Sequence, residues 1–241
     1  MEELIKIPTS NNQNIYGRLR GSLNKTVIVF VHGLGGLMDQ HIYYNGARFF
    51  EENGISSFRF NLYGWEKDAR KLTECTLKTH SYDLDRVITY FRKGSAKKII
   101  VVGHSFGGPT ILLSKNKDFD VIVLWDPSYG YPYSFEKVEY VKALNMYKAT
   151  WNFEALISKE MLQEAKTLKD REDKVMSKIA IPIKIINGED SFLAWAGEKY
   201  FKLANKPKER VVIKGAGHTF DEDGVEEKLL QETLEWIKKY T

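Results

Sequence analysis

The chain has very little cysteine: Cys75 is the single cysteine among 241 residues. One cysteine cannot form an internal disulfide, so a fold held together by internal cross-links is excluded. This scarcity fits a reducing compartment, and we predict a cytoplasmic protein. The N-terminal stretch MEELIKIPTS lacks a cationic start followed by an apolar run, so it does not predict a signal peptide.

Long apolar runs and long runs of one charge are also missing. The longest apolar runs, such as Val27–Val31, are far too short to cross a bilayer, so we expect no stable membrane insertion. The 36 basic and 32 acidic residues are interleaved and leave a formal net charge of +4. This distribution is typical of a solvated mixed surface and does not favour a nucleic-acid partner. The oligomeric state is left open by these features.

Short apolar strands alternate with helical patterns along most of the chain. An N-terminal hairpin is predicted over LIKIPTSNNQNIYGRLRG, where two alternating runs flank a polar turn. Strands that follow are predicted at 26–31, 55–60, 99–102, 121–125, 181–186 and 210–213. Strands that alternate with helices imply parallel pairing with right-handed crossovers. The fold class predicted is therefore α/β, with a mostly parallel central sheet flanked by helices.

Residues 128–180 interrupt this alternation with an aromatic-rich stretch of helical pattern. We predict a helical cap or lid insertion there, with the core formed by 1–127 and 181–241, because about fifty residues bury too little apolar surface to fold alone. The insertion lies between two strands, so we expect it to cover the carboxyl edge of the sheet. Trp151 and Tyr129 are candidates for the walls of an acyl or aryl pocket, although an aromatic stripe is as often core packing.

The stretch IIVVGHSFGGPT, residues 99–110, bends a predicted buried strand around one serine. Its GHSFG segment matches G-x-S-x-G around Ser105, with a predicted helix following. This is the setting of a nucleophile elbow, in which a strained turn exposes the serine hydroxyl. Gly103 and Gly107 are needed because the positions two before and two after the serine approach closely. The context favours a catalytic serine over a plain glycine-rich turn.

A serine hydroxyl needs a base, and His218 is the one histidine that follows Ser105 in the chain. It lies in GAGHTF, just past an apolar strand. Ligands of open parallel sheets bind at the carboxyl ends of the strands, and this loop lies at such an end. The acid should follow a strand between these two residues, and we predict Asp190, after IPIKIING, as the group that orients the imidazole. Glu189 and Asp126 are rivals. Asp126 ends the strand at 121–125 and could reach the same site from the neighbouring strand.

A tetrahedral intermediate also needs hydrogen-bond donors for its oxyanion. The backbone N–H of Phe106 is one candidate because it follows the nucleophile. The second is the N–H of Leu34, in the glycine-rich HGLGG loop after the strand at 26–31. That loop lacks the G-x-x-x-x-G-K-[ST] pattern of a phosphate cradle. We expect neither a cofactor nor a metal in this site.

Taken in order, the hairpin, HGLGG, GHSFGG, the strand before Asp190 and GAGHTF span nearly the whole chain. In this the chain resembles the α/β-hydrolase superfamily, and specifically its serine esterase and lipase-like members. The resemblance implies the α/β-hydrolase fold with a cap at 128–180. It also implies a triad of Ser105, Asp190 and His218, with Leu34 and Phe106 as oxyanion donors. Two stretches depart from the family pattern: the acid loop is one residue shorter than the usual Gly-x-x-Asp, and FRFNLYGWEKDARK replaces the usual Asp-x-x-Gly-x-Gly turn.

The function predicted is a serine hydrolase that cleaves small-molecule carboxylic esters through an acyl-enzyme intermediate. A thioesterase or an acyltransferase could use the same triad. A non-catalytic ligand-binding protein of the same fold is an alternative of another class. The presence of both Ser105 and His218 argues against that last alternative.

Overall fold

An eight-stranded sheet is the main element of the computed structural model, which describes residues 2–22, 26–94, 96–129, 138–150 and 154–241. The strand order is β1-β2-β4-β3-β5-β6-β10-β11. The first two strands form the predicted antiparallel hairpin, β2 pairs antiparallel with β4, and every later pair is parallel. The strands are β1 (Glu2–Pro8), β2 (Asn14–Arg20), β3 (Thr26–Val31), β4 (Ser56–Phe60), β5 (Lys98–His104), β6 (Val121–Trp125), β10 (Ile183–Gly188) and β11 (Lys208–Ile213).

Helices cover both faces of this sheet. Two of them, α1 (His41–Glu52) and α7 (Val225–Lys238), pack on one face, and α2 (Leu77–Lys93), α3 (Gly107–Leu113) and α6 (Ala194–Leu203) pack on the other. The central strands bury side chains on both faces, as the continuous apolar runs predict. The α/β prediction is therefore confirmed. Helix α6 was not predicted, because its sequence AWAGEKYFKL carries no clear amphipathic period.

The segment predicted as a helical cap is mixed in structure. Its first part forms a small antiparallel sheet of β7 (Val138–Val141), β8 (Met146–Thr150) and β9 (Glu154–Ile157). Its second part forms the helices α4 (Lys159–Lys166) and α5 (Leu168–Met176), and α5 packs against α3. Neither MYKAT nor EALI alternates apolar and polar residues clearly, so the sequence did not predict this small sheet.

Within the described ranges, every helix is too short or too polar to cross a membrane.

The turn from β5 into α3 is packed against backbone on two sides. A Cβ built on Gly103 would lie 2.8 Å from the carbonyl oxygen of Gly107. A Cβ built on Gly107 would overlap the carbonyl oxygen of Val31, at the end of β3. Backbone cannot move aside as a flexible side chain can, so these two positions accept only glycine.

We expect Gly107→Ala to lower the free energy of unfolding by about 2 kcal/mol or more, because the added methyl group must displace β3. Gly94→Ala is the control, since its Cβ would lie 3.3 Å from the Tyr90 carbonyl oxygen and its cost should stay below about 1 kcal/mol. Urea denaturation of both variants measures the difference. Equal stability of the two variants would contradict this account of the turn.

Candidate active site

The backbone of Ser105 has the geometry of a strained turn. Its φ is 54°, in the left-handed region that non-glycine residues rarely adopt. The turn is held in place by two hydrogen bonds, one to the last residue of β6 and one from the segment that follows it. Ser105 N–H donates to the Trp125 carbonyl at 3.0 Å, and Ser128 N–H donates to the Ser105 carbonyl at 3.0 Å. The serine hydroxyl therefore lies at the start of α3, at the carboxyl edge of the sheet.

The loop after β3 lies directly beside this serine. A Cβ built on Gly33 would lie 3.0 Å from Ser105 Cβ, so the loop backbone approaches this serine closely. The next residue, Leu34, and the residue after the serine, Phe106, are the predicted oxyanion donors. Among the hydrogen bonds of the described residues, neither of these two backbone N–H groups has an acceptor. Two unpaired amide donors flanking the serine are consistent with that role, which stays a prediction.

His32 holds the loop in this position. Its Nδ1 lies 2.8 Å from the Gly33 carbonyl oxygen, and its Nε2 accepts from Leu62 N–H at 3.0 Å. A ring that accepts at Nε2 must carry its proton on Nδ1, so Nδ1–H donates to Gly33. Burial lowers the pKa of His32 to about 4, so the ring stays neutral near pH 7.

His218 is held by a carboxylate from an unexpected strand. Its Nδ1 donates to Asp126 Oδ2 at 2.5 Å. Asp126 follows β6 directly, has a φ of 41°, and is 0 % exposed. The side chain is thus turned into the sheet edge, where the imidazole from the loop after β11 meets it.

The sequence placed Asp190 in this position, and the structure corrects that placement. Asp190 is exposed, and its backbone N–H donates to the Ala216 carbonyl at 2.9 Å. The chain turns outward just after Gly188, so the shortened acid loop carries both Glu189 and Asp190 away from the imidazole. Asp126, the rival candidate, directly follows β6, so its carboxylate reaches the imidazole without an intervening loop.

The end of β10 and the loop after it contribute hydrogen-bond donors to Asp126 instead of a carboxylate. Asn187 Nδ2 donates to Asp126 Oδ1 at 2.9 Å, and the Ser191 hydroxyl donates to Oδ2. The other end of the Asn187 amide accepts from Arg210 Nε at 3.2 Å, which fixes its orientation. A Cβ built on Gly197 would overlap Asn187 Oδ1, so α6 leaves just enough room for this amide. Both oxygens of the buried carboxylate are therefore hydrogen-bonded.

His104, the residue before the nucleophile, supports the backbone of His218. Its Nε2–H donates to the His218 carbonyl at 2.8 Å, and the two ring centroids lie 4.7 Å apart. Burial, followed by the nearby His218, lowers the pKa of His104. A neutral His104 is a hydrogen-bond donor at Nε2 without placing a positive charge beside His218. No sequence signal marks His104, because it occupies a variable position of G-x-S-x-G.

Ser105 Oγ has one hydrogen-bond partner among the described residues, and it is Ser128 Oγ at 3.4 Å. Ser128 lies two residues beyond Asp126 and was not singled out by the sequence. Its contact with the nucleophile follows from the pairing of β5 with β6, which places the ends of both strands side by side.

Of the two aromatic residues predicted to line a pocket, Tyr129 lies within the described residues. Tyr129 is buried, its hydroxyl donates to Asp173 of α5, and its ring lies 5.1 Å from that of Tyr200. These contacts make it part of the packing between α5 and α6, and contact with a substrate stays a prediction. Trp151 lies outside the described residues.

A third buried histidine, His80, lies beneath the elbow. His80 on α2 packs against Phe106 with ring centroids 6.4 Å apart, and neither of its ring nitrogens has a hydrogen-bond partner among the described residues. Burial lowers its pKa to about 3. The native protein therefore holds this ring neutral, whereas an unfolded chain binds a proton near pH 6.5.

We expect acid to destabilise the protein through this difference. A pKa that is depressed in the folded state gives stability that is complete above pH 6.5 and is lost as the pH falls toward 3. His80 alone should lower the free energy of unfolding by about 2 kcal/mol between pH 7 and pH 5. His80→Leu should reduce the pH 7 to pH 5 difference in urea denaturation by that amount. An unchanged difference would show that the ring is not held neutral.

The fold of this chain is shared by solved esterases and a lipase. The esterase domain of a Rhodothermus marinus protein aligns with a TM-score of 0.79 at 13% identity, covering 100% of this chain and 99% of that one. Est1E from Butyrivibrio proteoclasticus with bound ferulic acid aligns at 0.79 and 18% identity, covering 97% and 99%. A monoacylglycerol lipase from Paleococcus ferrophilus aligns at 0.72 and 17% identity, covering 94% and 99%.

At these identities the structural likeness shows the fold alone, and the family follows from the sequence. No curated protein matches the sequence of this chain. A model of the alpha/beta hydrolase family matches residues 28–227, which run from β3 into the first turn of α7. The matched span contains the elbow at Ser105 and both members of the Asp126–His218 pair. The chain belongs to the alpha/beta hydrolase family.

Proposed function

We propose that this protein is a serine hydrolase that cleaves carboxylic esters through an acyl-enzyme intermediate. The observation that carries the proposal is the 2.5 Å hydrogen bond between Asp126 and His218, beside a serine in the left-handed turn of an elbow. The catalytic triad proposed is Ser105, His218 and Asp126. Asp190, the acid favoured by the sequence, has no part in it.

In the first step, His218 removes the proton of Ser105 Oγ while the oxygen attacks the ester carbonyl carbon. Asp126 keeps the imidazole proton on Nδ1, so Nε2 is free to accept. The oxyanion that forms is stabilised by the unpaired N–H groups of Leu34 and Phe106. Ser105 Oγ contacts Ser128 in the unliganded protein, and catalytic hydrogen bonds commonly tighten only when substrate binds.

The tetrahedral intermediate then collapses. The carbon–oxygen bond to the alcohol breaks, and the proton held on His218 Nε2 passes to the leaving oxygen. Water enters in place of the alcohol, gives a proton to His218 and attacks the acyl carbonyl. The bond between the acyl carbon and Ser105 Oγ then breaks, the proton on His218 passes to Oγ, and the carboxylic acid leaves. Every group in this cycle is a side chain or a backbone amide, so the proposed reaction requires no cofactor or metal.

The nucleophile is tested by Ser105→Ala with p-nitrophenyl acetate. The variant should keep the fold, because removal of the hydroxyl leaves the backbone turn unchanged. Its kcat should fall by about 10⁴ or more. Circular dichroism checks the fold. Ser128→Ala is the matched control, since it removes a neighbouring hydroxyl, and it should retain activity within about tenfold. Activity of Ser105→Ala within tenfold of the wild type would remove the proposal.

The acid is tested by comparing Asp126→Asn with Asp190→Asn. An amide at position 126 can no longer accept from His218 Nδ1–H with a full charge, and kcat should fall by about 10⁴, the loss known for the same change in a serine protease. The exposed Asp190 should tolerate the change with less than about a twofold effect. Steady-state kcat on one ester measures both. A large loss at Asp190 and near-normal activity at Asp126 would return the acid to the loop after β10.

A further inference from the structure

Two large aromatic side chains are exposed beside the candidate active site and have no role in the chemistry proposed above. Phe192 is 59 % exposed and Trp195 is 45 % exposed. Phe192 lies in the segment that joins β10 to α6, and Trp195 is the second residue of α6. Exposed aromatic surface of this size is unfavourable in water and is typical of a binding site. We name this pair the aromatic shelf.

The segment that carries Phe192 is held in place by the residues on either side of it. The Ser191 hydroxyl donates to the buried Asp126, and it accepts from Leu193 N–H at 3.0 Å. Leu193 itself is buried in the core. Phe192 is therefore presented to solvent by a backbone that is fixed at the neighbouring positions, and little conformational freedom is lost when it binds a ligand.

The position of Phe192 identifies which part of an ester it meets. Its ring centroid lies 5.0 Å from that of His218. In the proposed reaction His218 delivers a proton to the leaving oxygen, so the alcohol part of the ester must lie against this imidazole. A side chain that packs on the same ring borders the alcohol part and not the oxyanion.

Trp195 packs against the segment that follows β6. Its ring contacts that of Tyr129 edge-on at 6.0 Å, and Tyr129 directly follows Ser128, whose hydroxyl is the neighbour of Ser105 Oγ. The shelf thus extends from His218 toward the segment after β6. Flat apolar groups bind well to such surfaces, because ring contacts add to the free energy of apolar burial.

The charge around the shelf restricts the alcohol further. The loops at 187–193 and 214–224 carry exposed carboxylates and a single lysine, Lys214. The carboxylates are Glu189, Asp190, Asp221, Glu222 and Asp223. A polyanionic leaving group, such as a phosphorylated thiol carrier, would be repelled there. This charge distribution favours an uncharged alcohol over a phosphorylated one.

We infer that Phe192 and Trp195 form the subsite for the alcohol part of the ester, and that the enzyme selects esters of uncharged aromatic alcohols. This inference rests on the proposed function. It adds which part of the substrate is recognised, namely the alcohol, and the chemical class of that alcohol. The acyl group, on the far side of the tetrahedral carbon, is left outside the shelf.

The test measures kcat/KM for benzyl acetate, ethyl acetate and acetylcholine in the wild type and in Phe192→Ala. These esters share one acyl group and differ in the alcohol, and the comparison between proteins cancels their intrinsic reactivity. Phe192→Ala should lose about tenfold on benzyl acetate and less than twofold on ethyl acetate. Trp195→Ala should show the same selectivity with a smaller loss. Tyr90→Ala is the control, because this exposed tyrosine lies near the end of α2, at the opposite edge of the sheet.

Two further measurements separate the outcomes. Ethyl phenylacetate carries its ring on the acyl group, and Phe192→Ala should leave its hydrolysis and the rate of deacetylation of the acetyl-enzyme unchanged. Selective loss on ethyl phenylacetate, equal losses on all esters, or a preference for acetylcholine over benzyl acetate would overturn the inference while leaving the hydrolase intact. If the wild type cleaves no ester and a fluorophosphonate does not label Ser105, the proposed function itself fails.

Discussion

The carboxylate of Asp126 has no contact with solvent, and this constrains the segments around it. A buried carboxylate is tolerated only when hydrogen-bond donors replace the water it has lost. Those donors are the Asn187 amide, the Ser191 hydroxyl and the His218 imidazole, from β10, the loop after it and the loop after β11. Because each lies at or beyond the carboxyl end of its strand, the adjacent parallel order of β6, β10 and β11 brings them together.

Ser105 and Asp126, both at this edge of the sheet, have left-handed backbone conformations. Such conformations cost free energy in residues other than glycine and persist only where the surroundings hold them. Here the two turns support one another, because Ser105 N–H is bonded to the residue before Asp126 and Ser128 N–H is bonded back to Ser105. The strain that exposes the hydroxyl and the strain that turns in the carboxylate are thus held by the same pair of neighbouring strands.

The core of the fold could be predicted from sequence because its strands are continuous apolar runs broken by glycine-rich turns. Ser105 and His218 could be predicted because a strand, a motif and a chain order each limited the choice. The partner of His218 could not, since Asp126 and Asp190 follow strands that are neighbours in the sheet. The choice depends on whether the chain turns inward or outward after the strand, which is set by Ser191 and by the Asp190 backbone bond to Ala216. Phe192 had no sequence signal, because exposure beside an imidazole requires the folded loops.

The tyrosines behind the nucleophile have a consequence for how the protein unfolds. Tyr200 on α6 donates to the Ser128 carbonyl at 2.7 Å and lies 2.5 Å from Glu172 of α5, while Tyr129 reaches Asp173 of the same helix. Buried polar groups that share partners in this way cannot be separated without leaving donors or acceptors unsatisfied. We therefore expect the helical end of the 128–180 segment to unfold together with the core of the fold. An attempt to excise that segment, or to exchange it with a cap from another protein, would have to supply new partners for both phenols.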